Sequence, residues 1–124
     1  MSGKGIKIKV KALPKNIQKV TLNGVLDGHT SYSFSQSLIG LLRGATRKVI
    51  IDCTDLWYIS SAGIGVLIHA NALLDEEYPD EPTGLVILNP GESVMDVFRI
   101  LEIEDTFKFA ATEVDAVKIL SAIS

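Results

Sequence analysis

Near the start of the chain, apolar and charged positions alternate: Ile6, Ile8, Val10 and Ala12 are interleaved with Lys7, Lys9 and Lys11. A period of two predicts a half-buried strand with the lysines on its wet face. Pro14 and Asn16 break the run. A second strand is expected over Ile17 to Leu26, with Val20, Leu22 and Gly24 on one face. The short break between the two predicts an antiparallel pair.

Asp27-Gly28-His29-Thr30 ends that strand, and Asp27, Thr30 and Ser31 are each able to cap a following helix. Phe34, Leu38, Leu41, Leu42 and Ala45 then recur at helical spacing. Lys48 to Cys53 is an apolar, β-branched run without alternation, which predicts a strand covered on both faces. A turn at Thr54-Asp55, an apolar hook over Leu56-Trp57-Tyr58-Ile59 and a helix from about Ala62 to Glu77 are expected next. An acidic loop with Pro79 and Pro82 separates that helix from a buried strand over Gly84 to Leu88.

Asn89-Pro90-Gly91-Glu92 predicts a helix start, with Asn89 as cap and Pro90 in the first turn. Val94, Val97, Phe98 and Leu101 form its apolar stripe. A short strand over Phe107 to Ala110 and a last helix behind a Thr112/Asp115 capping pair complete the chain. The order β, β, α, β, α, β, α, β, α predicts an α/β fold with a mixed sheet of about five strands and about four helices. At 124 residues the chain suits one domain, 1–124.

Composition narrows the function. Apolar residues make up 47% of the chain, enough for a core, and the net charge of −3 makes the whole a poor partner for nucleic acid. Six lysines, Lys4, Lys7, Lys9, Lys11, Lys15 and Lys19, crowd the start, and they read as a solvated edge-strand face. One cysteine, Cys53, forbids an internal disulfide and a zinc site built on several thiolates. The first residues lack the apolar core of a signal peptide, and no apolar run approaches the ~18 residues of a membrane span. A cytoplasmic protein with no membrane partner is expected.

The chemistry centres on Tyr58-Ile-Ser-Ser-Ala-Gly-Ile-Gly65. A nucleophilic Ser61 needs a base in reach. Of the two histidines, His69 lies eight residues further along the same helix, roughly 12 Å away, whereas His29, after the second strand, is able to approach Ser61 in space, but no Gly-x-Ser-x-Gly elbow is present. Gly63-Ile64-Gly65 lacks both a dinucleotide fingerprint and a P-loop. Asp27, Asp52 and Asp55 end strands or turns, where aspartate more often caps than binds a cation. Gly63 and Gly65 leave a nearly bare first helical turn, fit either for close packing or for a partner's approach. Ser60 or Ser61 is expected to cap the helix, Ser61 foremost, and a capping serine there is also exposed at the end of the strand-to-helix loop. A phosphate on such a serine adds about −1.5 to −2 charge at pH 7, tolerable at a helix N-terminus and disruptive at an interface.

The stretch VIIDCTDLWYISSAGIGVLIHAN, together with Gly24-Val25-Leu26-Asp27 before Thr30 and Asn89-Pro90 before Val94 and Val97-Phe98, resembles the STAS domain of anti-sigma factor antagonists. The resemblance covers nearly the whole chain. It implies a single STAS-like domain and a non-enzymatic, cofactor-free protein that is a monomer when free. By that resemblance the unphosphorylated form binds an anti-sigma factor that is itself a GHKL-type serine kinase. Phosphorylation of Ser61 then releases it, and a PPM-type phosphatase restores it. ATP belongs to the partner. Asp27 matches a family aspartate that supports the site. The implied contact surface is Asp27, Ser60, Ser61, Ala62, Gly63, Ile64 and Gly65, with Gly63 and Gly65 keeping the helix entrance open. Where the family often carries Asp before the acceptor, this chain has Ser60, which makes Ser60 an alternative acceptor. The resemblance also admits a constitutive binding module that scaffolds a transport, lipid or sensory complex without phosphorylation.

Overall fold

The computed structural model describes residues 5–124. Lys4 of the basic cluster and the first residues of the predicted domain lie outside them. Five strands form one sheet in the order β1-β2-β3-β4-β5: β1 Ile6–Leu13, β2 Ile17–Leu26, β3 Lys48–Ile59, β4 Gly84–Leu88 and β5 Lys108–Ala110. The expected antiparallel pair of β1 and β2 is present, with Val10 opposite Val20. β2 to β5 run parallel, as the alternation of strands and helices requires. The helices are α1 Thr30–Arg43, α2 Ser61–Glu77, α3 Glu92–Ile100 and α4 Glu113–Ser121.

The unalternating runs of β3 and β4 are apolar on both faces because helices cover both. Val49, Ile51, Leu85 and Ile87 pack with Phe34 and Leu38 of α1, Ile64 and Leu67 of α2, and Val94 and Phe98 of α3. Ile17, Ile50, Val86 and Leu88 face the other way, against Ala116 and Leu120 of α4. Phe98 locks α3 down by edge-to-face contacts with Phe107 and Phe109, at centroid distances of 5.5 and 5.3 Å. Among the described residues no helix is long and apolar enough to cross a membrane.

The structure corrects three expectations. Thr54-Asp55 is not a turn: β3 runs on to Ile59. Asp52 Oδ1 accepts from Thr54 N and Oγ1 at 3.0 and 2.7 Å, the local bonds that signal a turn. Here two register shifts against β2, between Thr21 and Asn23 and between Gly24 and Val25, absorb them within the strand. Asn89 does not cap α3: it is left-handed (φ 51°), the cap position falls on Gly91, and the Asn89 amide donates to Thr54 Oγ1. Along β1, Val10 stays 46% exposed and Ala12 is exposed, so only Ile6 and Ile8 join the core. Thr112 caps α4 as expected, accepting from Asp115 N at 3.2 Å.

Gly24 is required where it stands. Its φ is +130°, and a Cβ there would run into the Gly5 carbonyl of β1's lead-in.

Candidate functional site

The site forms where the parallel strands β2 and β3 end side by side. The Ser60 amide donates to Leu26 O at 2.7 Å, which sets the start of α2 beside Asp27. Ser60 keeps extended backbone angles (φ −90°, ψ 173°) and Ser61 is the first helical residue. Ser60 is therefore the cap. Its Oγ accepts from Gly63 N at 3.3 Å and its carbonyl from Ile64 N at 3.0 Å. This corrects the expectation that Ser61 both caps and faces outward. Ser61 is exposed and its hydroxyl is not the one the cap uses.

The first turn of α2 divides by helical geometry. Ser61, Ala62 and Gly65 are exposed, whereas Gly63 and Ile64 are buried. A Cβ on Gly63 would sit 2.8 Å from Ile59 Cγ1 and 2.9 Å from Leu26 Cβ, so this glycine is needed for close packing of helix on strand ends. A Cβ on Gly65 meets nothing within 4 Å. Gly63 and Ile64 thus face the core and offer no side chain to a partner. Of the two glycines, only Gly65 keeps the surface low.

Asp27 fixes the neighbouring helix. Its Oδ1 accepts from His29 N at 2.9 Å and Thr30 N at 2.8 Å. In return Asp27 N donates to Thr30 Oγ1 at 2.9 Å, and that hydroxyl donates to Val25 O at 2.7 Å. The backbone bond from Thr30, aided by the Thr30 hydroxyl and by His29, holds the Asp27 carboxyl below the usual carboxylate range. Asp27 is accordingly an anion at neutral pH beside the start of α2.

The apolar hook expected over Leu56 to Ile59 divides in the structure: Trp57 and Tyr58 are 73% and 51% exposed, while Leu56 and Ile59 are buried. The second register shift against β2 falls at this point, so the apolar positions no longer follow a simple period. The Trp57 carbonyl accepts from Ser93 Oγ at 3.2 Å, tying this aromatic shoulder to α3.

The carboxylates are used locally. Asp27 Oδ1 accepts from the backbone at the start of α1, whereas Asp52, expected at a strand end, lies inside β3 and binds Thr54 there. Among the described residues no group of three or more His, Cys, Asp or Glu side chains is placed to hold a metal ion. Cys53 lies in the core, and burial pushes its thiol pKa up to about 12.

The family model for the STAS domain matches residues 9–116. No curated protein sequence matches the chain. Among solved structures, an anti-sigma factor antagonist from Mycobacterium paratuberculosis superimposes with a TM-score of 0.81 at 18% identity, over 97% of each chain. The anti-sigma factor antagonist SpoIIAA in its unphosphorylated form gives 0.76 at 20% identity, over 95% of this chain and 99% of that one. The phosphorylated form of SpoIIAA, described as a Bacillus cell fate determinant, gives 0.70 at 19% identity, over 92% and 99%. At these identities the likeness is one of fold.

Proposed function

Because this chain belongs to the STAS domain family, we propose that it is an anti-sigma factor antagonist whose binding is switched by phosphorylation of Ser61. The observation that carries the reading is the division of labour between the two serines: Ser60 caps α2, and Ser61 is exposed on its first turn. A kinase can reach Ser61 without unfolding anything. Ser60, half-buried and engaged with Gly63 N, is the poorer acceptor.

The exchange of the family's usual Asp for Ser60 leaves this logic intact. Aspartate and serine are comparably good N-caps, so either starts the helix and presents the next residue outward. The switch is electrostatic. A phosphate on Ser61 adds about −1.5 to −2 charge. The N-terminus of α2 carries no acidic residue in its first turn and accommodates that charge through its free N–H groups. At an interface the same charge is desolvated, and it lies on the side of the domain where Asp27 is already ionised. The fold survives and the complex does not.

The partner in this reading is an anti-sigma factor of the GHKL serine kinase type, with a PPM-type phosphatase restoring the binding form. The contact surface is Asp27, Ser60, Ser61, Ala62 and Gly65, flanked by the aromatic shoulder of Trp57 and Tyr58. Exposed aromatics beside a low, polar centre suit an interface anchor. Incubation with a GHKL kinase and ATP, followed by intact-mass and fragment analysis, tests the assignment. One phosphate on Ser61 is expected. A phosphate confined to Ser60, or none with a kinase that binds the protein, would overturn it.

A further inference from the structure

β1 is an edge strand of eight residues: Ile6, Ile8 and Leu13 pack against the core, whereas Lys7 and the stretch from Lys9 to Ala12 are exposed. Its even positions share a face with Val20 and Leu22 of β2, yet Val10 remains 46% exposed because the helical layer stops short of it. Its odd positions carry Lys7, Lys9 and Lys11, all exposed. Lys19, directly opposite Lys11, is neutralised by Glu113 at 2.6 Å. No salt bridge among the described residues engages the three β1 lysines.

Lysines on an edge guard against strand pairing. What they guard against depends on the incoming charge. A second copy adding antiparallel to continue the sheet would keep odd positions opposite odd positions. Lysine would then face lysine, and like charges directly opposite are unfavourable. The same edge favours a strand with carboxylates opposite Lys7, Lys9 and Lys11 and apolar side chains beside Ile8 and Val10. The three lysines span about 13 Å at ~3.3 Å per residue, the reach of a five-residue strand.

We infer that the free edge of β1 is a docking site for an extended protein segment of alternating acidic and apolar residues, which it takes up as an added strand. Main-chain bonds supply the affinity and the lysine row selects the charge. The edge is distinct from the Ser61 surface, and the inference stands whether or not Ser61 is phosphorylated.

The test uses the full isotope-labelled chain and a blocked octapeptide of alternating Glu and Val, with an alternating Lys and Val octapeptide as control. The Glu-Val peptide is expected to shift alternate β1 amides, and its affinity should fall at least tenfold between 50 and 500 mM salt. The triple variant K7E/K9E/K11E should lose this peptide and gain the Lys-Val one. The milder K9E, which alters one exposed side chain, should weaken Glu-Val binding severalfold if the triple variant fails to fold. Shifts that map away from β1, binding unchanged by K9E, or no shift at millimolar peptide would overturn the inference. So would oligo(dT) or phosphatidylserine vesicles engaging the three lysines while the peptide does not, or a dimer of wild type formed through β1.

Discussion

The amide of Ser60 donates to the carbonyl of Leu26 at 2.7 Å. This one bond between the ends of β3 and β2 makes the site. It brings the residue before Ser61 against the residue before Asp27, so the exposed serine and the ionised carboxylate belong to one rim, although 34 positions separate them in the chain. The parallel pairing of β2 and β3 is what delivers both to the same edge of the sheet. That edge, beyond the carboxyl ends of parallel strands, is where α/β sheets commonly place their binding surfaces.

Ser60→Ala removes the side chain that accepts from Gly63 N at the α2 N-terminus and should cost about 1 kcal/mol. Ser61→Ala touches no cap and should lie within about 0.5 kcal/mol of wild type. Urea unfolding of the two variants checks this, and equal losses would mean that the cap is shared.

The two glycines should respond in opposite directions. Gly63→Ala forces a methyl against Ile59 and Leu26 and should destabilise by about 1–3 kcal/mol. Gly65→Ala enters open space on a helix and should stabilise by up to about 1 kcal/mol. Thermal melts of both proteins measure the contrast.

Acid should expose the role of Asp27. Its folded pKa lies below the ordinary 3.8 because the Thr30 backbone bond favours the anion. Its contribution is therefore complete above that ordinary value and is lost as pH falls through the depressed one. Asp27→Asn keeps a cap acceptor but cannot titrate. Melting temperatures between pH 2 and 6 should fall less steeply for this variant than for wild type.

Cys53 should be silent in the native protein. Buried, and with its pKa pushed up to about 12, it holds almost no thiolate at neutral pH. A colorimetric thiol reagent should react only after denaturant is added. Because the folded pKa is raised above the ordinary 9.0, stability should decline as pH rises from about 9 towards about 12. Rapid labelling without denaturant would contradict the packing around β3.

Much of this was legible in the chain. The bounds of β2 follow from its flanking breakers, the Thr112 cap from its spacing to Asp115, and the double-sided burial of β4 from its unbroken apolar run. The differences share a cause: a tertiary partner overrides the local chemistry. Asp52 and Thr54 make the bonds of a turn, but the parallel neighbour β2 carries the strand through on two bulges. Asn89 carries a capping side chain, but its amide N–H is drawn to Ala110 O and its side chain to Thr54, so α3 starts at Glu92. Ser60 and Ser61 are chemically alike, and only the bond from Ser60 N to Leu26 O decides which stays extended and which opens the helix. The glycines of the first turn are likewise indistinguishable until Leu26 and Ile59 are placed beneath one of them.

The most direct test of the central claim is calorimetric binding of wild type, Ser61→Ala and Ser61→Asp to a GHKL anti-sigma factor kinase from the same cell, without ATP and then with it. Wild type and Ser61→Ala should bind alike without ATP, and Ser61→Asp should bind at least tenfold more weakly. On adding ATP only wild type should gain a phosphate and dissociate. If all three bind that kinase equally and ATP changes nothing, Ser61 is not a switch and the protein is a fixed binding module.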